Sequence, residues 1–73
     1  MDLFGLRCFV EIVRAGGFTR AAEALGRTQP AVSAQVKRLE ESLGGPLIDR
    51  SAPGLVLTEL GRQLLPRAEG LLE

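Results

Sequence analysis

The sequence predicts a mainly α-helical domain made of a three-helix core, a small β-hairpin and a C-terminal helix. Three observations predict it. Apolar residues recur at three- and four-residue steps in separate stretches, and glycines stand at the ends of those stretches. Residues 47–57 break the helical rhythm and alternate around the turn-forming run Ser-Ala-Pro-Gly. The whole chain has 73 residues, enough for one small domain. A domain of that size buries only roughly 60% of the surface its unfolded chain would expose.

Leu3, Leu6, Phe9, Val10 and Val13 fall on one helix face, and Asp2 stands where a carboxylate caps a helix start. The first helix is therefore expected over Leu3–Ala15, ended by Gly16 and Gly17, since glycine enters left-handed backbone at little steric cost. Thr19 is the candidate cap of a second helix barely two turns long, in which the small Ala21 and Ala22, with Leu25, let a neighbouring helix approach closely. Gly26 stops it. Thr28 then caps a third helix, with Pro30 in the first turn, where its missing N–H costs nothing. Val32, Val36, Leu39 and Leu43 give this helix an inward face, while Gln29, Ser33 and Lys37 form a polar row at four-residue steps. Gly44, Gly45 and Pro46 end it. Residues 47–50 and 55–57 then read as the two arms of a hairpin wing. Thr58 caps a last helix carrying Leu60, Leu64, Leu65, Ala68, Leu71 and Leu72, an apolar stripe wider than the small body needs. Pro66 is expected to interrupt that helix, because it removes the bond to the Arg62 carbonyl at a cost of about 3 kcal/mol.

Composition narrows the function. No apolar run approaches the ~20 residues that cross a bilayer, and the Met-Asp-Leu-Phe start lacks the basic region and cleavage site of a secretory signal, so a cytoplasmic protein is expected. Cys8 is the single cysteine and there is no histidine, which leaves no intrachain disulfide and no set of the usual zinc ligands; no metal or cofactor is expected. Cys8 reads as a small buried residue of the first helix. The chain also lacks tyrosine and any glycine-rich phosphate loop after a strand, so an enzyme is not predicted. Glu40 and Glu41 point about 100° apart on a helix and read as a solvated edge rather than a catalytic pair.

Nine basic residues balance nine acidic ones, and a net charge of zero gives nucleic-acid binding no support. The distribution does: from Arg20 to Arg38 stand Arg20, Arg27, Lys37 and Arg38 against the single acid Glu23. A polar helix face set after a short helix and a glycine turn fits the major groove of DNA, where each base pair shows its own donor and acceptor pattern. On that face Gln29 presents both donor and acceptor to an adenine, Pro30 and Ala31 can touch a thymine methyl, and Ser33 can bond a base edge or a phosphate; Thr28 is a further candidate for contact with DNA. Thr19, Arg20, Lys37 and Arg38 stand where phosphate contacts fix register without reading sequence. Arg50 and Ser51 of the wing can reach the adjacent minor groove or its phosphates. The plain alternative for each is a solvated glutamine or serine, or a solubilising basic pair, and only the pattern tips the balance.

Phe18-Thr19, Ala21-Ala22, Leu25, Thr28-Gln29-Pro30-Ala31 with Ser33, Leu39-Glu40, Leu43-Gly44, Pro46-Leu47, Arg50, and Leu57-Thr58 with Gly61 together resemble the signature of the LysR-type transcriptional regulators, over essentially the whole chain. The resemblance implies a DNA-binding winged helix-turn-helix over residues 1–57, whose recognition helix begins at Thr28. It also implies a linker helix over residues 58–73 that pairs two subunits, a tetramer in the full-length family, and a separate effector-binding domain after the linker. Any small-molecule effector would act through that further domain. Ala34 departs from a polar or basic habit of the family, Gly17 from serine, and Ile48 from phenylalanine.

Pairing through Leu60, Leu64, Leu65, Ala68, Leu71 and Leu72 would set two recognition helices on successive half-sites of a pseudo-palindromic duplex. The rival reading is a protein-interaction module, which the neutral charge suits. Salt separates the two, because affinity for DNA falls steeply as salt rises and an apolar protein interface does not.

Overall fold

The computed structural model describes residues 2–72 and contains four helices, α1 (Leu3–Ala15), α2 (Phe18–Leu25), α3 (Gln29–Leu43) and α4 (Glu59–Leu72). The Asp2 carboxylate accepts the Phe4 N–H at 3.0 Å and so caps α1. The Thr28 hydroxyl oxygen accepts the Ala31 N–H at 3.3 Å at the start of α3, with Pro30 in its first turn. Left-handed glycines close α1, α2 and α3 at Gly16, Gly26 and Gly44.

The start of α2 differs from the expectation. Thr19 is not its cap: the helix begins at Phe18, and Gly17 occupies the cap position with no side chain to offer. The Gly17 carbonyl accepts the Ala21 N–H at 3.2 Å, so the first turn is closed by backbone alone. Thr19 lies inside that turn, exposed.

α1 is the central helix, in contact with α2, α3 and α4, while α2 packs on α3. This central position buries more than one face: Gly5, Leu6, Cys8, Phe9, Val10 and Ile12 are all inside, joined by Ala21, Ala22, Val32, Val36, Leu39, Leu47, Ile48 and Ala68. Leu3, expected on the inner face of α1, is instead 60% exposed, because the first residue of the helix stands beyond the reach of the helices packed around it.

Two further expectations are corrected. Pro66 does not interrupt α4, which runs unbroken from Glu59 to Leu72. Pro66 and Arg62 are both exposed, so the carbonyl that loses its donor lies where water can replace it. Ala68 offers no surface to a partner: it is fully buried where α4 packs on α1. Of the apolar stripe on α4, Leu71 is 64% exposed, and Leu60, Leu64, Leu65 and Leu72 are partly covered by the domain's own core.

The wing is smaller than a hairpin. It consists of one antiparallel bridge, Ile48 to Leu57, flanked by the bonds Asp49 N–H to Val56 carbonyl at 2.8 Å and Thr58 N–H to Leu47 carbonyl at 3.0 Å. Beyond Asp49 the ladder stops, and the Asp49 carboxylate takes the Ser51 N–H at 3.0 Å that the next cross-strand bond would need.

Among the described residues no helix is long and apolar enough to cross a membrane. Cys8 is fully buried, and burial pushes its thiol pKa up against a smaller opposing pull from Arg27. A thiol both inaccessible and reluctant to ionise is a poor nucleophile. Disulfide-exchange reagents are therefore expected to label Cys8 slowly in buffer and rapidly in strong denaturant; equal rates would show the first helix to be open in the native state.

Candidate nucleic-acid interface

α3 divides cleanly into two sides. Val32, Val36 and Leu39 are buried, which fixes the rotation of the helix and turns Gln29, Ser33 and Lys37 outward along a single row. Gln29 and Lys37 are exposed, Ser33 is half-buried, and none of the three side chains hydrogen-bonds to another described residue. The row lines an open groove of about 650 Å³ together with Pro30, Ala34, Glu40 and Arg50. Amide, hydroxyl, ammonium and guanidinium groups are thus collected along one groove.

The remaining candidates are placed unevenly. Thr28 and Ala31 are exposed at the start of α3, and Thr19 and Arg20 are exposed in the first turn of α2. Arg38 is separated from the row: it lines a smaller cleft between α1 and α3, with Asp2, Gln35 and Ser42. One residue past Lys37, it is turned by about 100° on the helix. Arg27, counted in the local basic excess, packs with its guanidinium 5.1 Å from the Phe4 ring centroid. Ser51 is committed within the wing, its hydroxyl donating to Asp49 Oδ1 at 2.6 Å and its N–H to the same oxygen at 3.0 Å. These bonds hold the Asp49 carboxyl below the usual carboxylate range. The turn therefore sets a carboxylate beside Ser51, which weakens Ser51 as a phosphate donor.

Arg50 is brought to the groove from the wing. Its guanidinium stands 5.0 Å from the centroid of the Phe18 ring at the start of α2, and 3.7 Å from Glu40 Oε1 on α3. Glu40 stands in the family signature but was expected only as a solvated edge, and here it lines the groove. Far from a solvated edge, its side chain is only 13% exposed, and its second oxygen accepts the Leu47 N–H at 2.8 Å. That bond ties the wing back to α3 after the Gly44-Gly45-Pro46 turn. No local pattern could have revealed it, because the partner is a backbone amide seven positions away whose direction only the folded turn decides.

Gly61 joins the wing to α4. It is buried, its N–H is held by the Thr58 hydroxyl at 3.1 Å, and a Cβ at this position would overlap the Leu47 carbonyl oxygen. The Thr58 hydroxyl in turn donates to the Pro46 carbonyl at 2.6 Å. Leu47 is thereby gripped from both sides, by α3 through Glu40 and by α4 through Gly61.

Residues 3–62 match the family described as bacterial regulatory helix-turn-helix protein, lysR family. The chain belongs to the LysR family. Among its relatives, the HTH-type transcriptional regulator AbaB of Streptomyces antibioticus is 53% identical over 68 residues, which is 93% of this chain and 23% of AbaB. The HTH-type transcriptional regulator BudR of Klebsiella aerogenes is 54% identical over 61 residues, 84% of this chain and 43% of BudR. The chain thus spans between about a quarter and a half of these LysR-family relatives. Among solved structures, the BenM DBD in complex with catB site 1 DNA matches with a TM-score of 0.93 at 39% identity, over 99% of this chain and 81% of that one. Vibrio fischeri DarR in complex with DNA matches with a TM-score of 0.92 at 30% identity, over 99% of this chain and 25% of DarR. The fold is therefore the winged helix-turn-helix of the LysR regulators, mainly helical and with four helices; here its wing is the single bridge described above.

Proposed function

We propose that this chain is the sequence-specific DNA-binding domain of a LysR-type transcriptional regulator, with α3 as the recognition helix. The observation that carries the reading is the unpartnered row of Gln29, Ser33 and Lys37 on the outer side of a helix whose inner side is locked in the core. A helix fits the major groove of B-DNA, and Gln29 and Ser33 of this row would face the base edges with Thr28, Pro30 and Ala31 at its leading end. Thr19 and Arg20 at the start of α2, and Lys37 and Arg50 at the edges of the groove, serve as phosphate contacts. Arg38 and Ser51 contribute less, the first because it lies on another side of α3, the second because Asp49 holds it. That the AbaB and BudR relatives are transcriptional regulators, and that the BenM and DarR structures are DNA complexes, supports the same reading.

In this proposal residues 1–57 are the reading head and residues 58–73 the start of a linker helix, of which Met1 and Glu73 lie outside the described residues. Two copies pair along the outward edge of α4, centred on Leu71 and using what remains uncovered of Leu60, Leu64, Leu65 and Leu72. Regulation takes place in the cytoplasm, on DNA, and a small-molecule effector acts through chain beyond α4.

Selection of bound duplexes from a random library at physiological salt tests binding, symmetry and spacing together. The expected result is enrichment of an inverted repeat whose half-sites lie about one helical turn, or a multiple of it, apart. Enrichment of no sequence would overturn the proposal, and binding that is insensitive to salt would favour a protein-interaction module instead.

A further inference from the structure

Among the described residues that line the groove, Arg50 alone comes from outside α3, and an arginine in a short surface turn ordinarily samples many rotamers. Here it is held from two directions. The Phe18 ring lies under the guanidinium at 5.0 Å, and Glu40 Oε1 stands 3.7 Å from one terminal nitrogen. Phe18 opens α2 and Glu40 sits near the end of α3, so each helix of the pair sends one residue to the same wing arginine. The Glu40 carboxylate is itself fixed by the Leu47 N–H, so it meets Arg50 as a stationary charge. At 3.7 Å it attracts without forming a hydrogen bond, which leaves the guanidinium N–H groups unspent. The Arg50 side chain remains 51% exposed. Either contact alone is worth little at a surface. Together they remove rotamer freedom before any ligand arrives, and a donor ordered in advance binds more tightly for the same contacts.

We infer that Phe18 and Glu40 are positioning residues that hold Arg50 at the rim of the α3 groove, so that its outward N–H groups meet a backbone phosphate of DNA lying on that helix. The inference rests on the DNA-binding reading above. It gives the Glu40 oxygen that does not hold Leu47 a partner of its own, so that both carboxylate oxygens are engaged within the fold. It also links the wing to both helices without a second strand ladder.

A double-mutant cycle on DNA affinity tests the clamp, using the selected duplex and a scrambled one. Arg50→Ala is measured alone, in a Glu40→Gln background and in a Phe18→Leu background. Glu40→Gln keeps a side-chain oxygen for the Leu47 N–H while removing the charge, and Phe18→Leu keeps both Glu40 contacts. Arg50→Ala alone is expected to weaken both duplexes about tenfold, and about threefold or less in either background, because an arginine no longer held has less to lose. In the free protein the Arg50 Hδ protons are expected to be shifted upfield by the Phe18 ring, and that shift should shrink in Glu40→Gln, which a merely structural role for Glu40 would not produce. Penalties that are equal or larger in the variant backgrounds overturn the clamp, as does an Arg50 Hδ shift unchanged by Glu40→Gln. Should Glu40→Gln not fold, the Phe18→Leu cycle decides. A wild-type chain that binds neither duplex overturns the functional reading and the clamp together, whereas tight wild-type binding with additive penalties removes the clamp alone.

Discussion

Gly61→Ala is expected to destabilise the domain by on the order of 3 kcal/mol, a large part of the roughly 4 to 11 kcal/mol that 73 residues ordinarily retain. The cause is steric and has no soft escape. A methyl group at Gly61 would overlap the Leu47 carbonyl oxygen, and it would also stand 3.3 Å from the Leu57 Cβ. Backbone could yield only by moving Leu47, and Leu47 is fixed at every atom that matters. Its side chain is fully buried, its N–H is held by Glu40 at 2.8 Å, and its carbonyl accepts the Thr58 N–H at 3.0 Å. Moving it would therefore break the tie between α3 and the wing as well as the seat of α4. Gly70→Ala provides the contrast on the same helix, since nothing lies within 4 Å of the Cβ it would add. That change is expected to stabilise by about 0.5–1 kcal/mol, the usual gain when alanine replaces glycine in a helix. Urea unfolding of both variants checks the pair. With a slope of about 1–3 kcal/mol per molar, the Gly61→Ala midpoint should fall by about 1 M or more while that of Gly70→Ala rises slightly. An unchanged Gly61→Ala midpoint would mean that α4 does not seat against Leu47.

What could be read from the sequence was whatever a residue's near neighbours decide. The bounds of α1 followed from the Asp2 carboxylate and Gly16, and the orientation of α3 from Val32, Val36 and Leu39, because caps and helical periods act within a few positions. The turn between α2 and α3 was legible for the same reason. What failed needed knowledge of the third dimension. Leu3 and Ala68 carry the wrong burial in a one-face reading because α1 is surrounded and α4 spends its inner side on it. The hairpin shrank to a bridge because the Asp49 side chain competes with the strand ladder for the Ser51 amide. Pro66 was tolerated because its lost bond faces water. At the site, the row Gln29, Ser33 and Lys37 was visible as a helical repeat, but Arg38 shared its charge without sharing its side of the helix. Glu40 stood in the family signature, but its contacts with Leu47 and Arg50 could not be read from sequence, since they depend on separate segments meeting. Gly61 stood in the family signature, yet only the Leu47 carbonyl explains why no larger residue fits there.

Gln29→Ala and Lys37→Ala are expected to damage DNA binding in different ways, and the difference is the strongest check on the interface. Both residues are exposed, and neither side chain bonds to another described residue, so stability should stay within about 0.5 kcal/mol of the wild type. Any loss of binding then belongs to recognition rather than to folding. Gln29 opens α3, where its amide can give and take a hydrogen bond at once, the pairing that matches adenine in the major groove. Its removal should cost about 1–3 kcal/mol on the selected duplex, roughly 5- to 150-fold in affinity, and far less on random sequence. Preference at one base position should relax while the other positions keep theirs. Lys37 lies two turns further along the same row and is assigned above to a phosphate, a contact that carries no sequence information. Lys37→Ala should therefore weaken every duplex alike and reduce the salt slope by about one counterion. A hydrogen bond to a base edge exists only for the correct base, whereas attraction to a phosphate exists at every step of the helix. Equal effects of the two substitutions on selected and random DNA would therefore mean that the row does not face the bases, and that α3 is not the recognition helix.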